Sequence, residues 1–211
     1  SAGASYTLTF PNNDGNANQF LQTNGSGVLS FANAGGGLVY LNSGAITSNQ
    51  TEVNIDGVFT TTYRNYFMIY DLTLDTTGAD PMMRFRDSSS GSLSASVYFF
   101  SMWGGDHLGN DGESVTGNGV SAFQMAHGMY NQSQLDYPAM AGFMYFNNPT
   151  STSHTKQFHH QFSTRNSNGD YRTYSGSGLF NNQTSVRGMQ WYPSSGNINN
   201  FTYKIYGLVD S

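Results

Sequence analysis

Apolar and polar residues alternate along much of the chain, which is the pattern of strands that bury one face. The clearest run is 66–74, in which Tyr66, Met68 and Tyr70 are followed by two leucines at the same spacing. Further strands are predicted over residues 51–59, 81–86, 94–103, 122–130, 139–147, 154–164, 171–175, 186–192 and 201–208. Because no helical pattern lies between them, the predicted fold is all-β, with an antiparallel β-sandwich of jelly-roll type as its main domain.

The stretch 104–119 contains six glycines and no regular alternation, so it is predicted to be a long loop. It follows residues 94–103, which are apolar on both faces and are predicted to form a central strand. Rings beside amides and carboxylates suit a sugar, because the ring stacks on the apolar face of the sugar while polar groups bind the hydroxyls. The candidate sugar-binding residues are Trp103, Asp106, His107, Asn110, Asp111, Tyr130 and Tyr137. The alternatives are that Trp103 caps the core and that the loop only packs between subunits.

The N-terminal segment 6–32 has a different pattern, with three short apolar runs separated by turn signals at 13–15 and 24–25. An isolated small β unit is marginal in water, so this one is predicted to be stabilised by copies of itself or by neighbouring chains. The side chains expected at those contacts are Tyr6, Leu8, Phe10, Leu21, Leu29 and Phe31. The run Ala-Gly-Gly-Gly at 34–37 reads as a linker, which divides the chain into residues 1–40 and 41–211.

Two motifs carry a resemblance to a known family. The first is formed by Tyr6, Leu8, Pro11, Asp14, Gly15, Gln19, Leu21, Thr23, Gly25, Ser26, Gly27, Leu29, Ser30 and Phe31, and it resembles the shaft module of bacteriophage tail fibres. The second is formed by Tyr192, Pro193, Ser194, Ser195, Gly196, Asn197, Ile198, Tyr206, Gly207 and Leu208, and it is similar to the C-terminal hairpin of fibre head domains. The chain departs from the shaft pattern at Asn18, where the family has glycine, and residues 41–185 carry no resemblance.

The resemblance implies a non-enzymatic virion protein of a tail or capsid fibre, in which three identical chains intertwine through the shaft. Other virion proteins would hold its N-terminal end, and the head would adhere to a host surface receptor, a glycan or a protein. One alternative is a capsid decoration or collar protein without a receptor role, and another is a secreted lectin or adhesin. A polysaccharide depolymerase is disfavoured because the chain has only two glutamates and no evident pair of carboxylates for glycoside hydrolysis.

Charge and composition exclude other classes of function. The net charge is −5, and the eight basic residues are scattered rather than clustered, which argues against nucleic-acid binding. No apolar run approaches the roughly 20 residues that a membrane-spanning helix needs, so no membrane insertion is expected. Cysteine is absent and no cofactor motif is evident, so neither disulfides nor a cofactor are expected.

Two places in the sequence could offer ligands to a metal ion. The carboxylates on the glycine-rich stretch that could offer oxygen ligands to calcium are Asp106, Asp111 and Glu113, but their spacing misses the EF-hand pattern. His160 shares a strand face with Phe158 and Phe162, as a core histidine would. In a trimer, that face could instead bring three copies of His160 together around a metal on the axis.

Overall fold

The computed structural model describes residues 6–16, 19–33, 37–87, 89, 91–106, 112–129 and 139–209. Every regular element in these ranges is a β-strand, as the sequence predicted. The chain divides into two compact units, Ser1–Gly37 and Leu38–Ser211. No helix within the described ranges is long and apolar enough to cross a membrane.

The first unit is a small antiparallel hairpin of β1 (Gln19–Thr23) and β2 (Leu29–Asn33). Gly25 in the connecting turn has a φ of 79°, a conformation that glycine adopts without strain and that explains the Asn-Gly signal. None of the described side chains of this unit is buried; Tyr6, Leu8, Phe10 and Leu21 are exposed, and Leu29 and Phe31 are half-buried. The unit therefore leaves its apolar side chains without a covering layer of its own, which was the premise for predicting assembly.

The second unit contains two antiparallel sheets. The strands of the larger sheet, in the order β3-β14-β5-β10-β11-β12-β7-β8, are Leu38–Ile46, Ile198–Leu208, Asn65–Leu74, Met140–Asn147, Lys156–Arg165, Tyr171–Phe180, Tyr98–Asp106 and Glu113–Val120. The strands of the smaller sheet, in the order β4-β13-β6-β9, are Val53–Ile55, Gly188–Pro193, Pro81–Arg86 and Phe123–Gln124.

Aromatic side chains join the inner faces of the two sheets. Tyr70 of β5 lies 5.1 Å from Trp191 of β13, and Phe85 of β6 lies 5.5 Å from Phe180 of β12, both measured between ring centroids. Such ring pairs add to the burial of apolar area that holds a core together. Two antiparallel sheets packed through one aromatic core are consistent with the predicted β-sandwich.

The predicted strand 66–74 is confirmed as β5, with all five of its apolar inward side chains buried. In β14, Phe201 and Ile205 are fully buried, and Tyr203 is partly buried and packs against the core. Strand β3 begins at Leu38, within the region that the sequence assigned to the linker. The predicted strand 51–59 is regular over only three residues.

The predicted long loop 104–119 is wrong, because most of it forms the hairpin of β7 and β8. Two of its glycines mark close packing rather than irregular structure. An ideal Cβ on Gly104 would lie 2.4 Å from the ring of Tyr174, and one on Gly117 would lie 2.1 Å from the ring of Phe100. The strand before the supposed loop is also not central, since β7 is next to the last strand of its sheet.

Candidate binding site on the larger sheet

The structure describes only part of the predicted sugar-binding set. Trp103 and Asp106 lie on β7, whereas His107, Asn110, Asp111, Tyr130 and Tyr137 lie outside the described residues. Asp106 pairs in register with Arg172 at the end of the sheet. The two described members therefore sit on one strand, three residues apart, and alternation places them on opposite faces of it.

Trp103 points outward from the sandwich and is 63% exposed, so the alternative in which it caps the core is wrong. Its cross-strand neighbours are Ser175 on β12 and Ser114 on β8. The backbone of Gly112 approaches the indole so closely that an ideal Cβ there would lie 2.1 Å from a ring atom. The ring is thus supported by its own hairpin and still presents most of its surface to solvent.

Most outward side chains around Trp103 are polar, and none of them is Asp, Glu, Lys or Arg. We call this surface the neutral face; it consists of Phe99, Ser101 and Trp103 of β7, Ser114, Thr116 and Asn118 of β8, Gln157, His159, Gln161 and Ser163 of β11, and Thr173, Ser175, Ser177 and Leu179 of β12. Arg165, at the end of β11, is the first charged side chain that follows on this side of the four strands. Hydroxyl and amide groups around an exposed indole can both donate and accept hydrogen bonds, as the hydroxyls of a sugar require.

A polar cleft of about 270 Å³ lies at the end of β8 and β12, and its lining residues are Gly78, Glu113, His127, Gly128, Asn166, Ser167, Asn168 and Arg172. The Tyr174 hydroxyl donates a hydrogen bond to Glu113, which also forms an ion pair with Arg172. Burial raises the pKa of Tyr174, and the positive charge of Arg172 partly opposes this shift. The hydroxyl therefore stays protonated near neutral pH, as a donor to Glu113 must.

The other side of the cleft is organised by Asp80. Its carboxylate accepts a hydrogen bond from the Gly128 amide at 2.7 Å, and it lies 3.6 Å from Nδ1 of His127. The carboxylates of Glu113 and Asp80 thus both interact with other groups of the protein.

Across the part of the chain that the structure describes, no group of three His, Asp or Glu side chains could hold a metal ion.

His160 is 4% exposed and lies between Phe158 and Phe162, with ring centroids 5.5 Å and 5.4 Å away. Burial, together with the neighbouring His159, lowers its pKa to about 4. Because this face is buried inside the sandwich of a single chain, three copies of His160 cannot meet around a metal, and that hypothesis is wrong. The reading of His160 as a core residue agrees with its burial.

Sequence reasoning missed the neutral face as a unit. Its signal was present in residues 157–163, where Gln, His, Gln and Ser alternate with a buried His and two Phe. The sequence could not show that β12, which pairs with β11, pairs on its other side with β7, the strand that carries Trp103. Comparison with known proteins finds no matching family model, curated protein or solved structure.

Proposed function

We propose that the chain is a non-enzymatic virion fibre protein whose head adheres to a glycan on the host surface. The observation that carries the proposal is Trp103, an exposed indole set among Ser114, Ser175 and the other uncharged groups of the neutral face. An exposed tryptophan keeps apolar surface in contact with water, which is unfavourable. A sugar ring stacked on the indole would remove that surface from water.

The assembly we propose is a homotrimer held together by the first unit, with other virion proteins at its N-terminal end. The exposed apolar side chains of that unit, among them Tyr6 and Phe10, support this proposal because intertwined chains would cover them. Three heads on one stalk would also turn a weak contact with sugar into strong attachment, since later contacts are made at high effective concentration. A purely structural collar or decoration protein needs the trimer but leaves the neutral face without a role.

The test is a glycan array probed with the intact, labelled chain and two variants. Trp103→Ala should abolish the signal on the glycans that the wild type binds. Phe143→Ala is the matched control, because Phe143 is a 40% exposed aromatic residue in the same cross-strand row, two strands beyond Ser175. Light scattering on each variant separates loss of sugar binding from loss of assembly. Absence of wild-type binding to any glycan, or equal binding by the Trp103 variant, would refute the adhesive role.

A further inference from the structure

The neutral face contains a trough beside Trp103. Its volume is about 470 Å³, and the outward side chains that bound it are Phe99, Ser101, Asn118, Gln157, His159, Ser177 and Leu179. Ser101 of β7 and Ser177 of β12 are paired across the two strands, and their small side chains leave space above this part of the sheet. The two serines thus lie between larger side chains, the paired Phe99 and Leu179 on one side and Trp103 on the other.

Two rings therefore stand on the same face of the same strand. Phe99 and Trp103 are four residues apart on β7, which corresponds to about 13 Å along a strand. That separation exceeds the size of one sugar ring and suits a ligand with several. Phe99 is half-buried and Trp103 is exposed, so the two sites would hold their rings at different depths.

The polar groups of the trough are available to a ligand. Within the described part of the chain, the side chains of Gln157, His159, Asn118 and the two serines make no hydrogen bond to another protein group. All five are hydrogen-bonding side chains, and the two amides can donate and accept at once. A dense set of unengaged donors and acceptors beside a ring is the arrangement by which proteins bind sugar hydroxyls.

The trough contains no Asp, Glu, Lys or Arg side chain. An acidic sugar would lose water around its carboxylate on binding here without gaining a cationic partner, which is unfavourable. The nearby cation on this side of the sheet, Arg165, stacks over Tyr171 at the end of β11, with its guanidinium carbon 5.3 Å from the ring centroid. The surface therefore selects a ligand without charge.

We infer that the trough is a second saccharide subsite, and that the ligand of the neutral face is an extended, uncharged oligosaccharide that spans from Trp103 to Phe99. This inference rests on the proposed function and adds to it the class of glycan and the path that the glycan takes. Recognition comes from stacking and hydrogen bonds, so affinity for the ligand depends little on ionic strength.

The test measures binding of the intact chain to neutral di- and hexasaccharides of glucose, mannose and galactose, and to a polyuronate hexasaccharide. Ser177→Phe fills the trough, and Gln157→Ala removes one of its amides from an exposed position. Ser43→Phe is the matched control, because Ser43 is an exposed serine of β3, in the same sheet but outside the neutral face. Melting curves show that each variant is folded.

The expected result is that Ser177→Phe weakens hexasaccharide binding by about tenfold or more, while the disaccharide held at Trp103 binds as before. Gln157→Ala should also weaken hexasaccharide binding, whereas Ser43→Phe should leave it unchanged. Raising salt from about 0.05 M to about 0.5 M should leave the affinity unchanged.

Preference for the polyuronate, or equal hexasaccharide affinity in the Ser177 and Ser43 variants, would overturn the inference. If Trp103→Ala still abolishes neutral glycan binding in that case, the proposed function stands and only the second subsite is lost. If the wild type binds neither these sugars nor any glycan of the array, both are refuted, whereas binding only to charged glycans of the array overturns the inference alone.

Discussion

Lys156 is a buried cation whose replacement should destabilise the head. Its side chain is fully buried, and its ammonium group donates hydrogen bonds to the backbone carbonyls of Ser151, His154 and Asn182. These carbonyls belong to the segment before β11 and to the segment after β12, so one side chain joins two connections of the sandwich. Lys156→Met keeps most of the apolar stem and removes the only part that binds the carbonyls.

The expected loss follows from the bonds removed. A hydrogen bond from a charged donor contributes about 1.5–3 kcal/mol, but removing the ammonium also relieves the cost of burying its charge. The three bonds therefore do not add, and we expect a net loss of about 3 kcal/mol in the free energy of unfolding. For a chain of this size that corresponds to a melting temperature lower by about 6–12 °C.

Urea denaturation of the intact chain, at one protein concentration throughout, measures this loss. The matched control is Lys204→Met, because Lys204 is the other lysine of the chain and is exposed on β14. The control should stay within about 0.5 kcal/mol of the wild type. Equal midpoints and slopes for the two variants would refute the reasoning that the three carbonyls depend on Lys156.

Three further predictions concern the core and the assembly. Because the pKa of His160 is lowered to about 4 from about 6.5, the unfolded chain binds a proton that the fold excludes, so stability is complete above pH 6.5 and falls by up to about 3 kcal/mol toward pH 4. His160→Gln should remove most of this loss in melting curves between pH 7 and pH 4, and His159→Gln should retain most of it. Ile205→Ala should cost about 2–5 kcal/mol in chemical denaturation, and an unchanged midpoint would contradict its complete burial. Deleting residues 1–33 should weaken the trimer in light scattering while circular dichroism still reports a folded head, whereas a stable monomer of the intact chain would refute assembly.

The regular parts of the sandwich could be predicted because their alternation was uninterrupted. In β5 every second residue from Tyr66 to Leu74 is apolar, and β14 shows the same alternation from Phe201 to Ile205, so a single strand is enough to establish the pattern. The hairpin of β7 and β8 could not be predicted in this way. At positions 104 and 117 the rings of Tyr174 and Phe100 occupy the space that a side chain would need. This packing depends on the tertiary structure, so a local sequence pattern does not reveal it.

Of the candidate site, only Trp103 could be predicted from the sequence. Trp103 stood out as a ring beside a glycine-rich stretch, but its hydrogen-bonding neighbours were sought in the same stretch. The structure pairs Trp103 with Ser175 of β12, which is distant in sequence, and β12 in turn brings β11 alongside. Strand order that is not consecutive depends on how all strands share one core, and a local pattern does not contain that information.

The central claim is that a glycan stacks on Trp103, and fluorescence quenching tests it most directly. The chain has only two tryptophans, one exposed to solvent and one buried. Trp103 is 63% exposed, and Trp191 is fully buried between the sheets. Acrylamide or iodide should therefore quench one component of the emission, and Trp103→Phe should remove that component. If a glycan stacks on Trp103, adding the glycan selected on the array should protect the quenchable component in proportion to saturation. Glycan binding that leaves the quenching of Trp103 unchanged would contradict the account.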